Sequence, residues 1–148
     1  MSVVPALKDA VLAILKKIYV IDGLNFKTLD EFYDEISRVL VPGVSWGRNL
    51  NGLNDLLRGG FGTPEGGFKL VWKNSAVSRS RLGYPQTVIE LEKHLERCHP
   101  SNRASIEHDL NLAHANRGTT VFDWLVEILR THGPGGEESA DGVELVFE

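Results

Sequence analysis

Three short runs of β-branched, aliphatic and aromatic residues punctuate this chain: Ile18-Tyr19-Val20-Ile21, Phe68-Lys69-Leu70-Val71-Trp72 and Val143-Glu144-Leu145-Val146-Phe147. No two of them are joined by a hairpin turn. Each gap instead holds stretches with the 3.6-residue apolar period of helices. Strands separated by helices return to the same end of a sheet, so they pair in parallel through right-handed crossovers. The expectation is an α/β fold, a three-stranded parallel sheet packed by helices. The first run has no polar alternation, which predicts a buried strand.

The helical stretches can be placed by their caps and stripes. Pro5 to Lys17, with Leu7, Val11, Ile14 and Leu15 on one face, predicts an extra N-terminal packing helix. Thr28 followed by Glu31 spells a capping box. The helix it opens turns Leu29, Phe32, Ile36, Val39 and Leu40 inward and stops at Pro42-Gly43. Asp30, Glu31, Asp34 and Glu35 read as capping and solvated acids in the half of the helix whose dipole favours them. Gly60 to Gly67 reads as a flexible loop, without the Lys-Ser/Thr that a phosphate-binding loop needs. Lys73, Arg79 and Arg81 read as part of a solvated basic loop. Pro85 to Cys98 predicts a helix with Val88, Leu91 and Leu95 inward. Ser101 then caps a helix from Asn102 to Ala115, which ends at Asn116-Arg117-Gly118. Val121 to Thr131 predicts the last helix, and Glu137 to Asp141 a polar linker.

At 148 residues, 42% hydrophobic and 24% charged, the chain suits one globular domain. A net charge of −4 argues against a nucleic-acid binder and permits a basic protein partner. The lone Cys98 excludes an internal disulfide and a multi-thiolate metal site. The apolar run before Ile21 is broken by Lys16-Lys17 and too short to span a membrane. The start lacks the pattern of a signal peptide. The expected location is the cytoplasm.

His94, Cys98, His99, His108 and His114 crowd into one region, but on two helices and without zinc-finger spacing. They read as surface and helix-end histidines, so neither metal nor cofactor is expected. Cys98 lies at a helix C-terminus, where the dipole disfavours a thiolate nucleophile. No G-x-S-x-G elbow is present. An enzyme built on Cys98 or the histidines is the weakest functional reading.

Between the first and second runs lies Trp46-Gly47-Arg48-Asn49-Leu50-Asn51-Gly52-Leu53-Asn54-Asp55-Leu56-Leu57-Arg58-Gly59. Leu50, Leu53, Leu56 and Leu57 share one helical face, leaving Arg48, Asn51, Asp55 and Arg58 on the other. Gly47 opens the segment and Gly59-Gly60 closes it in a left-handed cap. This motif resembles the signature of the barstar family of ribonuclease inhibitors. The resemblance extends to Tyr19–Gly23, Phe32–Ile36, Leu70–Trp72, Phe122–Leu129 and the last strand. Against that pattern, the N-terminal helix and residues 84–118 read as additions to a single domain, the latter as a helical insertion.

The resemblance implies a non-enzymatic protein that plugs a ribonuclease active site with this helix and the loop before it. Such a site is basic because it holds phosphates, and a carboxylate fixed on a helix can take their place. Asp55 matches the family's key aspartate, and Glu127 falls near a glutamate on a later helix. Trp46 and Gly47 match its aromatic-glycine pair. Asn51 stands where a second aspartate occurs, Ser45 where a tyrosine does, and Asn54 replaces a tryptophan. With Arg48, these residues make the implied partner-binding set. The departures point away from barnase itself, toward another nuclease toxin. The second reading is a protein-binding module, immunity or regulatory, on the same scaffold with a partner other than a ribonuclease. The free protein is expected to be a monomer.

Overall fold

The computed structural model describes residues 16–148. The helix expected from Pro5 lies outside these residues, apart from Lys16 and Lys17. Strands β1 (Ile18–Asp22), β2 (Phe68–Lys73) and β3 (Val143–Phe147) form one parallel sheet in that order, with β2 central. Among the described residues the helices are α1 (Leu29–Leu40), α2 (Leu50–Arg58), α3 (Ser75–Arg81), α4 (Tyr84–Arg97), α5 (Arg103–His114) and α6 (Val121–Thr131). None of them is long and apolar enough to cross a membrane.

One face of the sheet builds the core. Tyr19 and Ile21 from β1, Phe68, Leu70 and Trp72 from β2, and Val143 from β3 are buried there. Trp72 is the hub, with ring centroids of Phe32, Phe122 and Phe26 at 5.5, 5.2 and 6.0 Å. Its indole N–H donates to the Ser78 hydroxyl at 2.9 Å, which satisfies the one polar atom that burial would otherwise strand. The other sheet face carries Val20, Val71 and Val146 in register. Here β1 departs from expectation. It is an edge strand with Ile18 57% and Val20 43% exposed. Its unbroken apolar run reflects that valine row, not helices on both faces.

Three local expectations also change. Glu35 is buried, not solvated. Its carboxylate accepts from the Asp22 backbone N–H at 3.0 Å, from Asn25 at 2.9 Å and from Arg38 at 2.6 Å. The Thr28 box closes on one side only: Thr28 accepts from Glu31 N–H, while the Glu31 carboxylate takes the Lys27 N–H. A reciprocal box forms instead at Thr120 and Asp123, opening α6. Ser101 is not the cap of α5 either, because its N–H bonds His99 in a 3-10 turn and α5 starts after Asn102.

The basic stretch after β2 is helix α3, not a solvated loop. Arg81 donates to the carbonyls of Gly23, Leu24 and Phe26 at 3.1–3.3 Å, so it fastens the turn after β1. That turn and α3 touch so closely that a Cβ on Gly23 would lie 2.4 Å from the Ser78 hydroxyl. Helices α4 and α5 form a hairpin, α1 packs on β1 and α6 on β3, and α2 and α4 pack against α6.

A helix face with a tethered carboxylate

Helix α2 begins at Asn49, whose side chain accepts from Gly52 N–H at 2.6 Å. This is an ordinary N-cap, two residues later than Gly47. Its amide reaches back to the Gly47 carbonyl at 3.1 Å. The loop is held tightly against the helix: a Cβ on Gly52 would lie 3.0 Å from the Gly47 Cα. Arg48 takes a left-handed φ of +47°. At the other end Gly59 has φ +103° with an extended ψ, so the exit is not a regular left-handed cap.

The two faces of α2 differ completely. Leu53, Leu56 and Leu57 are buried in the core. Asn51, Asp55 and Arg58 are exposed, as are Ser45, Gly47 and Arg48 in the loop. The Asp55 side chain is 61% exposed and pairs with Arg58 at 2.9 Å. Arg58 also bonds the Glu138 carboxylate at 2.9 Å. That second bond, then the charge of Glu138, raise the Arg58 pKa above its ordinary value. Arg48 pairs with Asp34 on α1.

Trp46 and Asn54 point inward instead. Trp46 is 8% exposed, edge-on to Tyr33, with its indole N–H on the Ser37 hydroxyl at 2.7 Å. It anchors the loop from behind. Asn54 is half-buried, its side-chain amide 2.9 Å from His132 Nε2. His132 is completely buried, and its Nδ1 lies 2.7 Å from Asp141. His132, Glu138 and Asp141 bring donor atoms within 4.8 Å of one another, the spacing of a metal site. Through Asp141 on Nδ1 and Asn54 on Nε2, His132 ties α2 to the 132–142 segment as a clasp. Nothing in the spacing of the sequence singles out His132, Glu138 or Asp141. They sit in what reads as a helix end and a polar linker.

Glu127 is exposed on α6 but lines a groove against β3, with Arg79, Phe122 and Phe147. The loop and α2 border a different groove of about 840 Å³, walled by α1 and α4. Arg48, Asn51, Tyr33, Glu90 and Lys93 line it. Burial, and then the charges of Glu90 and Asp30, push the Tyr33 phenol pKa up. Ser45, Gly47, Arg48, Asn51 and Asp55 are therefore exposed, Arg48 and Asn51 within that groove, while Trp46 and Asn54 turn inward and Glu127 lines the other cleft.

Cys98 is half-buried with its Sγ 3.5 Å from the Leu95 carbonyl, a contact within its own helix turn.

No curated protein matches the sequence. A family profile described as Barstar (barnase inhibitor) matches residues 16–107. The matched residues run from β1 through α2 and β2 into α5, and so include most of the stretch that sequence reading assigns to an insertion. They stop short of α6, so Glu127 lies outside them. Matched over well more than half its length, this chain belongs to the barstar family.

Proposed function

We propose that this protein inhibits a ribonuclease by seating the exposed face of α2 and the Ser45–Arg48 loop in the nuclease active site. The observation that carries the reading is Asp55, a carboxylate 61% exposed on a helix whose opposite face buries Leu53, Leu56 and Leu57. A rigid helix presents the charge with little ordering on binding. The phosphate-binding cations of a nuclease supply the matching charge.

The ion pairs on this face support an exchange. Asp55 shares Arg58 with Glu138. When a nuclease cation takes Asp55, Arg58 keeps Glu138 and no charge is left without a partner. Asn51 and the loop residues Ser45, Gly47 and Arg48 frame the contact. Trp46 and Asn54 act from behind, by fixing the loop and the helix. Glu127 joins the interface only where the nuclease reaches round to α6.

A second reading is favoured by one feature. Arg48 and Arg58 both flank Asp55 on the exposed surface, which makes it less acidic than a plug for a strongly basic site needs. It suits a protein partner that is not a ribonuclease. Affinity capture from the native host separates the two, with wild-type protein and Asp55→Arg side by side. A ribonuclease retained by wild type and lost by Asp55→Arg is the expected result. A different protein, retained equally by both, would overturn the inhibitor mechanism.

A further inference from the structure

The groove between α1 and α4 opens beside the Ser45–Arg48 loop, with Arg48 and Asn51 in its lining. Its floor holds two polar side chains that the fold buries with bonding capacity to spare. Tyr33 is 4% exposed, and the Glu90 side chain 10%. Tyr33 is fixed edge-on to Trp46, the anchor of the loop, yet its hydroxyl has no hydrogen-bond partner among the described residues. Glu90 uses only one oxygen. Its Oε1 accepts from Gln86 at 3.1 Å and from Lys93 at 3.2 Å, and its Oε2 has no donor among the described residues. No fully enclosed side-chain nitrogen or oxygen among those residues lacks a partner, so both free atoms open on the groove. Behind burial, the charge of Glu90 is the largest influence raising the phenol pKa, so the two groups share one electrostatic neighbourhood.

A spare donor and a spare acceptor, each about nine-tenths buried, favour a ligand that meets both at once. The charged lining does not select it, because Asp30, Glu90 and Glu96 balance Arg48, Lys93 and Arg97. Arg48, His94 and Arg97 are exposed at the rim, Arg48 is paired with Asp34, and Lys93 is already on Glu90. The choice falls to hydrogen bonding. A carboxylate has no proton for Glu90 and is repelled by it. An ammonium or guanidinium has no acceptor for the Tyr33 proton. A trans peptide group points its N–H and C=O in opposite directions. A carboxamide carries an acceptor and a donor side by side. Leu29, Leu50 and Trp124 line the same groove and suit the apolar arm of such a side chain. The Trp124 ring is held there by its N–H on the Thr119 hydroxyl at 2.9 Å.

We propose that this groove is a binding site for an asparagine or glutamine side chain of a protein partner, whose carboxamide accepts from the Tyr33 hydroxyl and donates to Glu90 Oε2. Arg48 and Asn51 belong both to the groove and to the exposed loop and helix face, so a protein seated on α2 also covers the groove. Only the identity of that partner rests on the reading of α2. The chemistry of the groove does not.

The test is an NMR chemical-shift titration with the end-blocked tripeptides Leu-Gln-Leu, Leu-Glu-Leu and Leu-Arg-Leu at millimolar concentrations. The expected result is saturable shifts at Tyr33, Glu90 and the Trp124 indole with Leu-Gln-Leu, and binding at least about fivefold weaker with the other two. Tyr33→Phe should weaken Leu-Gln-Leu by about fivefold, the size of one hydrogen bond. It should leave the melting temperature unchanged, because the hydroxyl has no partner in the fold. No nuclease enters this test, so its failure leaves the reading of α2 standing, and failure of that reading leaves this result standing. Equal binding of the peptides, unchanged affinity in Tyr33→Phe, or no saturable shift would overturn the proposal. So would a lowered melting temperature in Tyr33→Phe, since the hydroxyl would then already be bonded within the chain.

Discussion

Glu35 joins the end of β1 to α1, and its ionisation ties that joint to pH. Burial pushes its pKa up, and that is the largest single influence. The Asp22 N–H, Arg38 and Asn25 together outweigh it, so the net shift is downward from 4.5. A folded-state pKa below the unfolded one means that ionised Glu35 contributes stability above the ordinary carboxylate range. That contribution is lost as pH falls through the lowered folded value. Asp22 shifts the same way, chiefly through the Leu24 N–H and then Asn74. Glu35→Gln should therefore lower stability by about 1.5–3 kcal/mol at neutral pH, the usual size for a hydrogen bond to a charged group. The deficit should shrink as pH drops below 4, as measured by urea unfolding across the acid range. A deficit that does not vary with pH would contradict the assignment. Glu31 and Glu35 are the same residue type on one helix, and periodicity alone makes both solvent-facing. What separates them is the end of β1, thirteen residues upstream, and no local pattern reports it.

At the scale of elements, α2 was legible and α3 was not. The leucine spacing of α2 marks its buried face, and that inference needs nothing beyond the segment itself. Helix α3 holds Ser75, Ala76, Val77 and Ser78 before its arginines, has no side-chain cap, and starts from a left-handed Asn74. Its stabilising contacts are tertiary: Ser78 on the Trp72 indole and Arg81 on the turn after β1. The clasp between α2 and the 132–142 segment was hidden for the same reason, since Asn54 and His132 are 78 residues apart. This clasp should be energetically real. A double-mutant cycle with Asn54→Ala and His132→Ala, read by denaturant unfolding, should give a coupling of about 0.5–3 kcal/mol. Strict additivity would mean that the contact does no stabilising. Because the clasp fixes the helix that carries Asp55, a coupled result also bears on how rigidly the carboxylate is presented.

For the whole molecule, the parallel three-stranded sheet follows from strands that alternate with helices. The β1 burial pattern did not follow, because a run of four apolar residues looks the same whether helices or open surface lie on the second face. The site was legible in part. Asp55, Asn51 and the loop residues Ser45, Gly47 and Arg48 are exposed, as the helical period of the motif implies. Trp46 and Asn54 turn inward, and Glu127 faces another cleft. An exposed-face assignment from helical period cannot show which polar residue is turned inward by a partner far along the chain. The molecule that results is a three-strand platform with a single carboxylate standing out from α2, held in a chain of alternating charge with Arg58 and Glu138.

The central claim is that this carboxylate occupies a ribonuclease active site. The most direct test is the turnover of the captured ribonuclease on single-stranded RNA, titrated with wild-type protein and with Asp55→Ala. The account predicts inhibition that competes with RNA. It also predicts that Asp55→Ala raises the inhibition constant by roughly 30- to 5,000-fold, equivalent to about 2–5 kcal/mol, with unfolding stability unchanged. Tight binding that leaves turnover intact, or equal inhibition by wild type and Asp55→Ala, would contradict it.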